Sequence, residues 1–212
     1  MNAHRREATA ETFRVDPANP DPELVRRVAG LLRRGAVAVF PTDTLYGLGC
    51  SGRSPRGLER LRELKGGDRS SPFILLLGEA AWVAAITTGS TSLAERLMAR
   101  HWPGPLTIVL DAAPGLDETL VSEAGTVAVR VPRSELCTSL CRALGGPIAS
   151  TSANAAGRPP APSAIEAVRE FGDRIDVVLD GGRAPSGIAS TIVDARGDRP
   201  LVLRQGATRP DV

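Results

Sequence analysis

AVAVFPTDTLYGLGCSG, residues 36–52, is the stretch from which the fold class is predicted. Its first five residues (36–40) form a short apolar run, which is typical of a strand buried on both faces of a sheet. The residues that follow (41–52) are dense in hydroxyl groups and glycine, so they predict a loop at the end of that strand. Because ligand sites in α/β proteins form at strand ends, this loop is the first candidate for a functional site.

Helical and strand patterns alternate on both sides of this stretch. Apolar residues recur at helical spacing in residues 22–34, 55–64, 92–100, 134–144 and 163–171. Short apolar runs predict further strands at residues 72–77, 105–110, 126–131, 147–150, 176–180, 190–195 and 201–204. Several strands follow one another without a helix between them, so the predicted fold is α/β (α+β), a mixed β-sheet with flanking helices. With 212 residues and no repeat or linker, one domain is expected over residues 21–208, after a polar N-terminal tail over residues 1–20.

Composition excludes several classes of protein. No apolar run approaches the ~18 residues that a membrane-spanning helix needs, and residues 1–12 lack the apolar core of a secretory signal. We therefore expect a cytoplasmic protein with no membrane partner. Three cysteines, Cys50, Cys137 and Cys141, are an odd number with no tight spacing, which argues against a disulfide framework.

Catalytic and metal motifs are scarce in the chain. The only histidines, His4 and His101, would have to supply any Ser-His-Asp or Cys-His site, and no G-x-S-x-G elbow is present. A structural zinc site needs four ligands, so no protein-bound metal is predicted. Residues 47–52 match G-x-G-x-x-G, but the preceding strand ends too early and the acidic residue of a dinucleotide site is missing. The P-loop motif is also absent from the sequence.

Charge is nearly balanced, but its make-up is unusual. The formal net charge is +2, which gives no indication of a nucleic-acid partner. Of the 26 basic residues 25 are arginine, and Lys65 is the only lysine. The arginine bias is attributed to codon composition. The retained lysine indicates a position where a compact ammonium is required and a planar guanidinium is unsuitable.

Five polar, turn-rich segments each adjoin the end of a predicted strand: residues 41–44, 65–71, 150–154, 187–191 and 204–206. Together they supply hydroxyl groups, backbone N–H groups, Lys65, Arg69 and Arg204, with few carboxylates, and Arg130 adds a cation within a predicted strand. This set of groups favours an anion, such as a phosphate or the carboxylate of an amino acid. The competing interpretation is that the hydroxyl groups cap turns and that Arg130 belongs to a buried ion pair.

Taken in order, these segments resemble the threonylcarbamoyl-AMP synthase (YrdC-like) family. The resemblance runs from about residue 23 to Gly206 and rests on seven motifs in register. They are FPTDTLYGLGC, LKGGDRSSPFILLL, HWPGPLTIVL, TVAVRVP, ASTSANAAGRP, GGRAPSGIASTIVD and LVLRQGA. The resemblance implies a single α/β domain in which a large twisted mixed sheet surrounds a concave, positively lined cavity.

The resemblance also implies an activity and its partners. Members of the family make threonylcarbamoyl-AMP and pyrophosphate from L-threonine, bicarbonate and ATP, and Mg²⁺ accompanies the ATP. A partner transferase then moves the threonylcarbamoyl group to adenosine 37 of tRNA. Whether the chain itself contacts tRNA is left open by the resemblance.

Position by position, the resemblance implies two groups of site residues. The group for L-threonine is Thr42, Arg130, Ser150 and Ser190. The group for ATP is Lys65, Arg69, Thr126, Ser152, Asn154 and Arg204. Lys65 and Arg69 are also expected to be catalytic, because they would spread the charge that develops on the transferring phosphate.

Three positions depart from the family pattern. Residues 65–67 lack the arginine of the usual Lys-x-Arg, and Arg69 is expected to replace it. Ala189 stands where many members have glutamate, and leucines 75–77 stand where many have a histidine. Two alternatives therefore stay open: an RNA-binding module that uses the same cavity, and a degenerate paralogue that binds nucleotide with a different acceptor or none.

Overall fold

The computed structural model describes residues 10–67, 73–155 and 157–211 of the chain. This part contains ten strands and five α-helices. The strands are β1 (Glu11–Arg14), β2 (Ala38–Pro41), β3 (Tyr46–Ser51), β4 (Ile74–Leu76), β5 (Leu106–Asp111), β6 (Thr126–Arg130), β7 (Ile148–Ser152), β8 (Val177–Asp180), β9 (Thr191–Asp194) and β10 (Leu201–Arg204). The helices are α1 (Pro22–Arg33), α2 (Pro55–Leu64), α3 (Ser92–His101), α4 (Glu135–Leu144) and α5 (Ala164–Phe171). Two short 3₁₀ segments are Ala80–Ala85 and Gly172–Arg174.

All ten strands belong to one sheet, in the order β1-β8-β2-β3-β7-β4-β6-β5-β9-β10. The parallel pairs are β1 with β8, β8 with β2, β4 with β6, and β5 with β9. The antiparallel pairs are β2 with β3, β3 with β7, β7 with β4, β6 with β5, and β9 with β10. The predicted single α/β domain with a large mixed sheet and flanking helices is therefore confirmed.

Each helix begins where the sequence supplies a capping side chain. The side chains of Asp21, Ser54, Thr91, Ser134 and Ser163 accept a hydrogen bond from a backbone N–H in the first turn of α1, α2, α3, α4 and α5, respectively. Such a cap typically stabilises a helix by about 1 kcal/mol. The five helices predicted from apolar spacing are all present, with ends that differ by one residue at most.

The helices cover the two faces of the sheet unequally. Alternate residues of a strand point to opposite faces, so Val39 and Leu75 pack in the core under α2, α3 and α5, whereas Phe40 and Leu76 pack in the core under α1 and α4. The strand residues in the core under α1 and α4 come from β2, β4, β7 and β8. On that face α1 and α4 thus leave β5, β6 and β9 uncovered, and this uncovered half is the floor of the cavity described below.

Strand β1 lies within the segment predicted to be a polar tail. Its four residues are mostly exposed, so they show no apolar alternation from which a strand could be predicted. The strand pairs in parallel with β8 at the edge of the sheet. The ordered domain therefore begins before the predicted boundary at residue 21, while residues 1–9 lie outside the described residues.

Strand β3 occupies half of the segment predicted to be a loop. Its glycines allow close approach to neighbouring strands: a Cβ on Gly49 would lie 2.6 Å from the Ala149 carbonyl oxygen, and one on Gly47 would lie 3.0 Å from the Phe40 ring. Glycine therefore serves here to let strands pack, and the prediction of a loop over residues 46–51 is wrong. Five of the six residues of the G-x-G-x-x-G match (47–51) lie in this strand, which supports its rejection as a dinucleotide motif.

The three cysteines are buried and free. Burial raises the pKa of Cys50 and Cys137 to about 12 and also raises the pKa of Cys141. The thiols therefore stay protonated at neutral pH, which makes them poor nucleophiles. Within the described ranges, no helix is both long and apolar enough to cross a membrane.

Candidate functional site

The uncovered half of the sheet forms the floor of a cavity of about 730 Å³, which we name the front cavity. Its walls come from the turn before β3, from residues 189–190 before β9, and from β10. Seven of the residues predicted from sequence line it: Thr42, Thr126, Arg130, Ser150, Ser152, Ser190 and Arg204. Segments that are far apart in the chain are thus brought to one site.

Arg130 ends β6 in the floor of this cavity, and its guanidinium is held on three sides. Nε donates to the Gly104 carbonyl oxygen over 2.9 Å, Nη1 to Thr44 Oγ1 over 3.2 Å, and Nη2 to Asp43 Oδ1 over 2.5 Å. The Arg130 side chain is 5% exposed and that of Asp43 12%. The buried ion pair that the sequence offered as one interpretation of Arg130 is therefore present.

The ion pair leaves Arg130 able to bind a ligand. A guanidinium carries five N–H donors, and the three contacts use one donor each. The described residues leave two N–H groups unused on a side chain that lines the cavity. Two donors on one guanidinium suit the two oxygens of a carboxylate.

Thr42 begins the turn that presents Asp43 and Thr44 to Arg130. Its hydroxyl donates to the Leu45 carbonyl oxygen over 2.7 Å and accepts from the backbone N–H groups of Thr44 and Leu45 over 3.1 and 3.2 Å. The hydroxyl is thus satisfied within the turn. The structure gives Thr42 a role in shaping this wall, and its contact with an amino acid stays a prediction.

Ser190 and Arg204 form the opposite wall. Arg204 donates to the Ser190 carbonyl oxygen from Nε over 3.2 Å and from Nη2 over 2.9 Å, and Nη2 also lies 3.2 Å from Ser190 Oγ. In the described part of the chain no carboxylate pairs with Arg204. Desolvation and the positive charge of Arg130 both lower the pKa of Arg204. Two guanidinium groups that repel each other across a cavity favour a bound anion.

Lys65 caps the C-terminus of α2 and reaches the end of β7. Its Nζ donates to the carbonyl oxygens of Asn154 over 2.5 Å and Ser152 over 3.2 Å, and Asn154 Oδ1 lies at 3.5 Å. Three acceptors match the three protons of an ammonium. Burial lowers the pKa of Lys65, and the charge of Glu170 opposes this shift. Lys65 and Asn154 lie beside the cavity wall, next to Ser152, which is part of it.

The corner of the cavity near Thr126 carries hydroxyl groups and an ion pair. Thr126 Oγ1 lies 2.7 Å from Ser122 Oγ. Asp194 Oδ2 accepts from Nε and Nη2 of Arg196 over 3.1 and 2.7 Å, and this pairing lowers the pKa of Asp194. Among the described residues, no group of three or more His, Cys, Asp or Glu is placed to hold a metal ion. The site thus offers cations and hydroxyl groups to a ligand.

Four other positions were singled out from the sequence: Arg69, Leu76, Ala189 and Tyr46. Arg69 lies outside the described residues. Leu76 and Ala189, two of the departures from the family pattern, both line the front cavity, and Leu76 pairs in register with Arg130. The wall near Arg130 is therefore more apolar than histidine and glutamate would make it. Tyr46, assigned to structure from sequence, donates its hydroxyl to the Gly182 carbonyl oxygen over 2.6 Å.

A second and larger cavity, of about 940 Å³, lies behind this site, and we name it the rear cavity. It is bordered by residues that follow β4 and β6 and by side chains of α3 and α4. Of the predicted site residues that the structure describes, only Thr42 lines it. Volume alone would select the rear cavity. The predicted residues select the front cavity, as does Arg204, which has no acidic partner in the described segments.

Two residues of this site escaped the sequence prediction, Asp43 and Thr44. Both belong to the PTDT motif, from which only Thr42 was given a role. A signal was available, because a charged residue in a buried strand needs a counter-charge and the neighbouring motif contains a carboxylate. Arg196 and Asp194, in the turn after β9, gave no comparable signal.

A protein-family model matches residues 30–206 of the chain. The family is Sua5_yciO_yrdC, with the description "Telomere recombination".

Individual proteins are similar over most of the chain. A threonylcarbamoyl-AMP synthase of Pyrococcus abyssi is 34% identical over 182 residues, which cover 86% of this chain and 54% of that protein. One of Nitrosococcus oceani is 36% identical over 177 residues, which cover 84% and 96%. The crystal structure of P. abyssi Sua5 complexed with L-threonine has a TM-score of 0.87 at 32% identity, over 92% of this chain and 57% of that one. The chain spans about half the length of the first curated relatives it matches.

Proposed function

Because the chain belongs to the Sua5/YciO/YrdC family, we propose that it is a threonylcarbamoyl-AMP synthase, a nucleotidyltransferase that makes threonylcarbamoyl-AMP from L-threonine, bicarbonate and ATP. Relatives of that name and the likeness to a protein complexed with L-threonine support the proposal. The observation that carries it is the front cavity itself. Arg130 and Arg204 face one cavity with N–H donors that the described protein groups leave unused.

The reaction joins three substrates in two steps. The amino group of threonine first attacks bicarbonate, so that a carbamate forms and water leaves. A carbamate oxygen then attacks the α-phosphorus of ATP, and the bond from that phosphorus to pyrophosphate breaks. Neither step needs a nucleophilic side chain, so the protonated, buried cysteines are no obstacle. The protein must align two anions and stabilise the charge that builds on the phosphate.

Threonine is assigned to the end of the cavity around Arg130. The two unused donors of Arg130 bind its carboxylate, and Ser150 and Ser190 lie in the same walls to orient the rest of the molecule. Thr42 supports this end by fixing the turn that carries Asp43. The apolar side chain of Leu76 borders the same end and suits the methyl group of threonine.

ATP is assigned to the remaining cations and hydroxyl groups. Lys65 and Arg204 bind phosphate oxygens, together with Arg69 from the segment outside the described residues. Lys65 would exchange some of its contacts with Ser152 and Asn154 for contacts with phosphate. Thr126, Ser152 and Asn154 orient the nucleotide.

Magnesium belongs to the substrate, as the ion that accompanies ATP. The described wall contributes a single carboxylate, Asp194, which Arg196 already engages. Phosphate oxygens and water are therefore its ligands, which is the usual arrangement for nucleotide-bound Mg²⁺. When bound, the ion neutralises charge on the departing pyrophosphate.

The product is a reactive adenylate, which requires a second enzyme to use it. The proposal therefore includes a partner transferase that moves the threonylcarbamoyl group to adenosine 37 of tRNA. A cytoplasmic location, where ATP and tRNA are available, follows from this role. Direct contact between this chain and tRNA is not part of the proposal.

Pyrophosphate release tests the activity directly. The protein is supplied with ATP, Mg²⁺ and bicarbonate, and release is compared with L-threonine, with L-serine and with no amino acid. Release that depends on threonine is the expected result. ATP binding without threonine-dependent release contradicts the synthase and favours the degenerate paralogue. Tight, salt-sensitive tRNA binding without ATP turnover favours the RNA-binding module.

A further inference from the structure

The cations around the front cavity differ in how their charge is balanced. Arg130 is paired with Asp43 over 2.5 Å in a buried environment. The described contacts of Arg204 are with the carbonyl and hydroxyl oxygens of Ser190, and those of Lys65 are with neutral oxygens. The charge of Arg130 is therefore offset by a contacting carboxylate, whereas among the described residues Arg204 contacts none and Lys65 is acted on by the charge of Glu170 without a described contact.

Asp43 offsets the positive charge of Arg130 from outside the front cavity. Arg130 lines the front cavity, whereas Asp43 lines the rear cavity and not the front one. A ligand in the front cavity meets the free N–H groups of the guanidinium without touching the carboxylate. The negative charge of Asp43 opposes that of Arg130 at the ligand, so the donors are offered with a lower positive potential than an unpaired guanidinium would give.

Amino acids and phosphates respond differently to such a site. An amino acid at neutral pH has no net charge, and a strong positive potential would repel its ammonium group. A phosphate or pyrophosphate carries negative charge alone and is favoured by uncompensated cations. A guanidinium whose charge is partly offset by Asp43 therefore favours the zwitterion, because it binds the carboxylate through hydrogen bonds and attracts phosphate less than an unpaired cation does.

We propose that Asp43 is a specificity-determining residue that reserves the Arg130 subsite for the zwitterionic amino acid and keeps phosphate groups out of it. The inference rests on the proposed function, because it takes L-threonine and ATP as the two ligands of one cavity. Without Asp43, Arg130 has no acidic partner among the described residues, and phosphate groups compete with threonine for it.

Asp43→Asn tests this proposal, because it keeps the side-chain shape and an oxygen that accepts from Nη2 but removes the charge. Threonine binding is titrated by calorimetry at increasing concentrations of inorganic pyrophosphate. In the unmodified protein, pyrophosphate is expected to change the threonine Kd by less than about twofold. In Asp43→Asn it is expected to raise the apparent threonine Kd about tenfold or more, in a competitive manner.

Thr44→Val is the matched control. It removes a neutral contact from the same guanidinium, Thr44 Oγ1 to Nη1 at 3.2 Å, without changing any charge. Its threonine Kd is expected to rise, because the guanidinium is less firmly oriented, but pyrophosphate should gain no ability to compete. If pyrophosphate competes equally well in Thr44→Val and Asp43→Asn, loss of orientation explains the effect and the proposal fails.

Stability is checked first, because Asp43→Asn leaves a buried guanidinium without its counter-charge. If thermal melts show that the variant does not fold, the proposal is tested on the unmodified protein alone. Competition between pyrophosphate and threonine in that protein overturns the proposal, and independent binding of the two ligands supports it. These are binding measurements, so they do not depend on turnover. A protein that shows the expected competition pattern but releases no pyrophosphate supports the role of Asp43 and contradicts the synthase.

Discussion

The front and rear cavities meet at Thr42 but are lined by opposite charges. The described wall of the front cavity has three arginines and one carboxylate: Arg130, Arg196, Arg204 and Asp194. The described wall of the rear cavity has two arginines and four carboxylates: Arg133, Arg142, Asp43, Glu79, Glu95 and Glu135. The ion pair between Asp43 and Arg130 stands at the boundary, with one partner in each wall.

This contrast shows why volume is a poor guide to the site. The rear cavity is larger, yet its described wall has more carboxylates than arginines, and Arg142 pairs with Glu135 over 3.3 Å. In the front cavity, Arg204 has no acidic partner among the described residues. A cation that lines a cavity without a neighbouring carboxylate attracts negative charge, so it marks the place where an anion binds.

Breaking the boundary pair is expected to have the largest effect. Arg130→Gln removes the proposed carboxylate ligand and leaves Asp43 unpaired, which should destabilise the fold by about 3–5 kcal/mol and abolish threonine binding. Denaturant melts and calorimetry measure the two losses. The double variant Arg130→Gln/Asp43→Asn should regain stability but no binding. Threonine binding in either variant would contradict the assignment of Arg130.

Removing the single lysine is expected to affect chemistry more than stability. Lys65→Ala should lower threonine-dependent pyrophosphate release by about 10²–10³-fold, the usual cost of a lost charge-stabilising donor. The thermal melt should be unchanged. Lys65→Arg is the matched control and should restore little activity, because a planar guanidinium does not fit the three acceptors around Nζ. Full activity in Lys65→Ala would contradict the catalytic role assigned to Lys65.

Replacing Arg204 should weaken nucleotide binding more than threonine binding. Arg204→Gln is expected to raise the KM for ATP about tenfold, equivalent to about 1.4 kcal/mol, while the KM for threonine changes less. Its stability should stay within about 0.5 kcal/mol, since the residue is exposed at the edge strand. Steady-state kinetics at two salt concentrations provide the measurement. An equal rise in both KM values would argue against separate ends for the two substrates.

A substitution in the rear cavity should have the smallest effect. Glu79→Gln changes a charge in that wall without touching the boundary pair, and turnover is expected to stay within about twofold and stability within about 0.5 kcal/mol. Pyrophosphate release and a thermal melt are compared with the unmodified protein. A marked loss of turnover with an unchanged melt would mean that the rear cavity takes part in the reaction.

Much of the fold could be predicted from apolar spacing, and the exceptions have physical causes. The five helices show clear periodicity and side-chain caps. Strand β3 was missed because Gly47 and Gly49 are typical of turns, although here they allow strands to approach closely. Strand β1 was missed because an exposed edge strand needs no apolar pattern.

The sequence motifs predicted which residues line the candidate site, but not how those residues pair. Hydroxyl groups and cations at strand ends indicated the front cavity, and seven predicted residues line it. The pairing of each cation could not be predicted, because it depends on which loops meet across the sheet. That Asp43 balances Arg130 while Arg204 lacks an acidic partner in the described chain is a property of the folded arrangement.

The most direct test of this account is a crystal structure with L-threonine and a non-hydrolysable ATP analogue. Both ligands are predicted to lie in the front cavity, with the threonine carboxylate on the two free N–H groups of Arg130 and phosphate oxygens on Lys65 and Arg204. The Asp43–Arg130 pair should stay intact behind the threonine. Either ligand in the rear cavity, or phosphate oxygens on Arg130, would contradict the division of the two cavities described above.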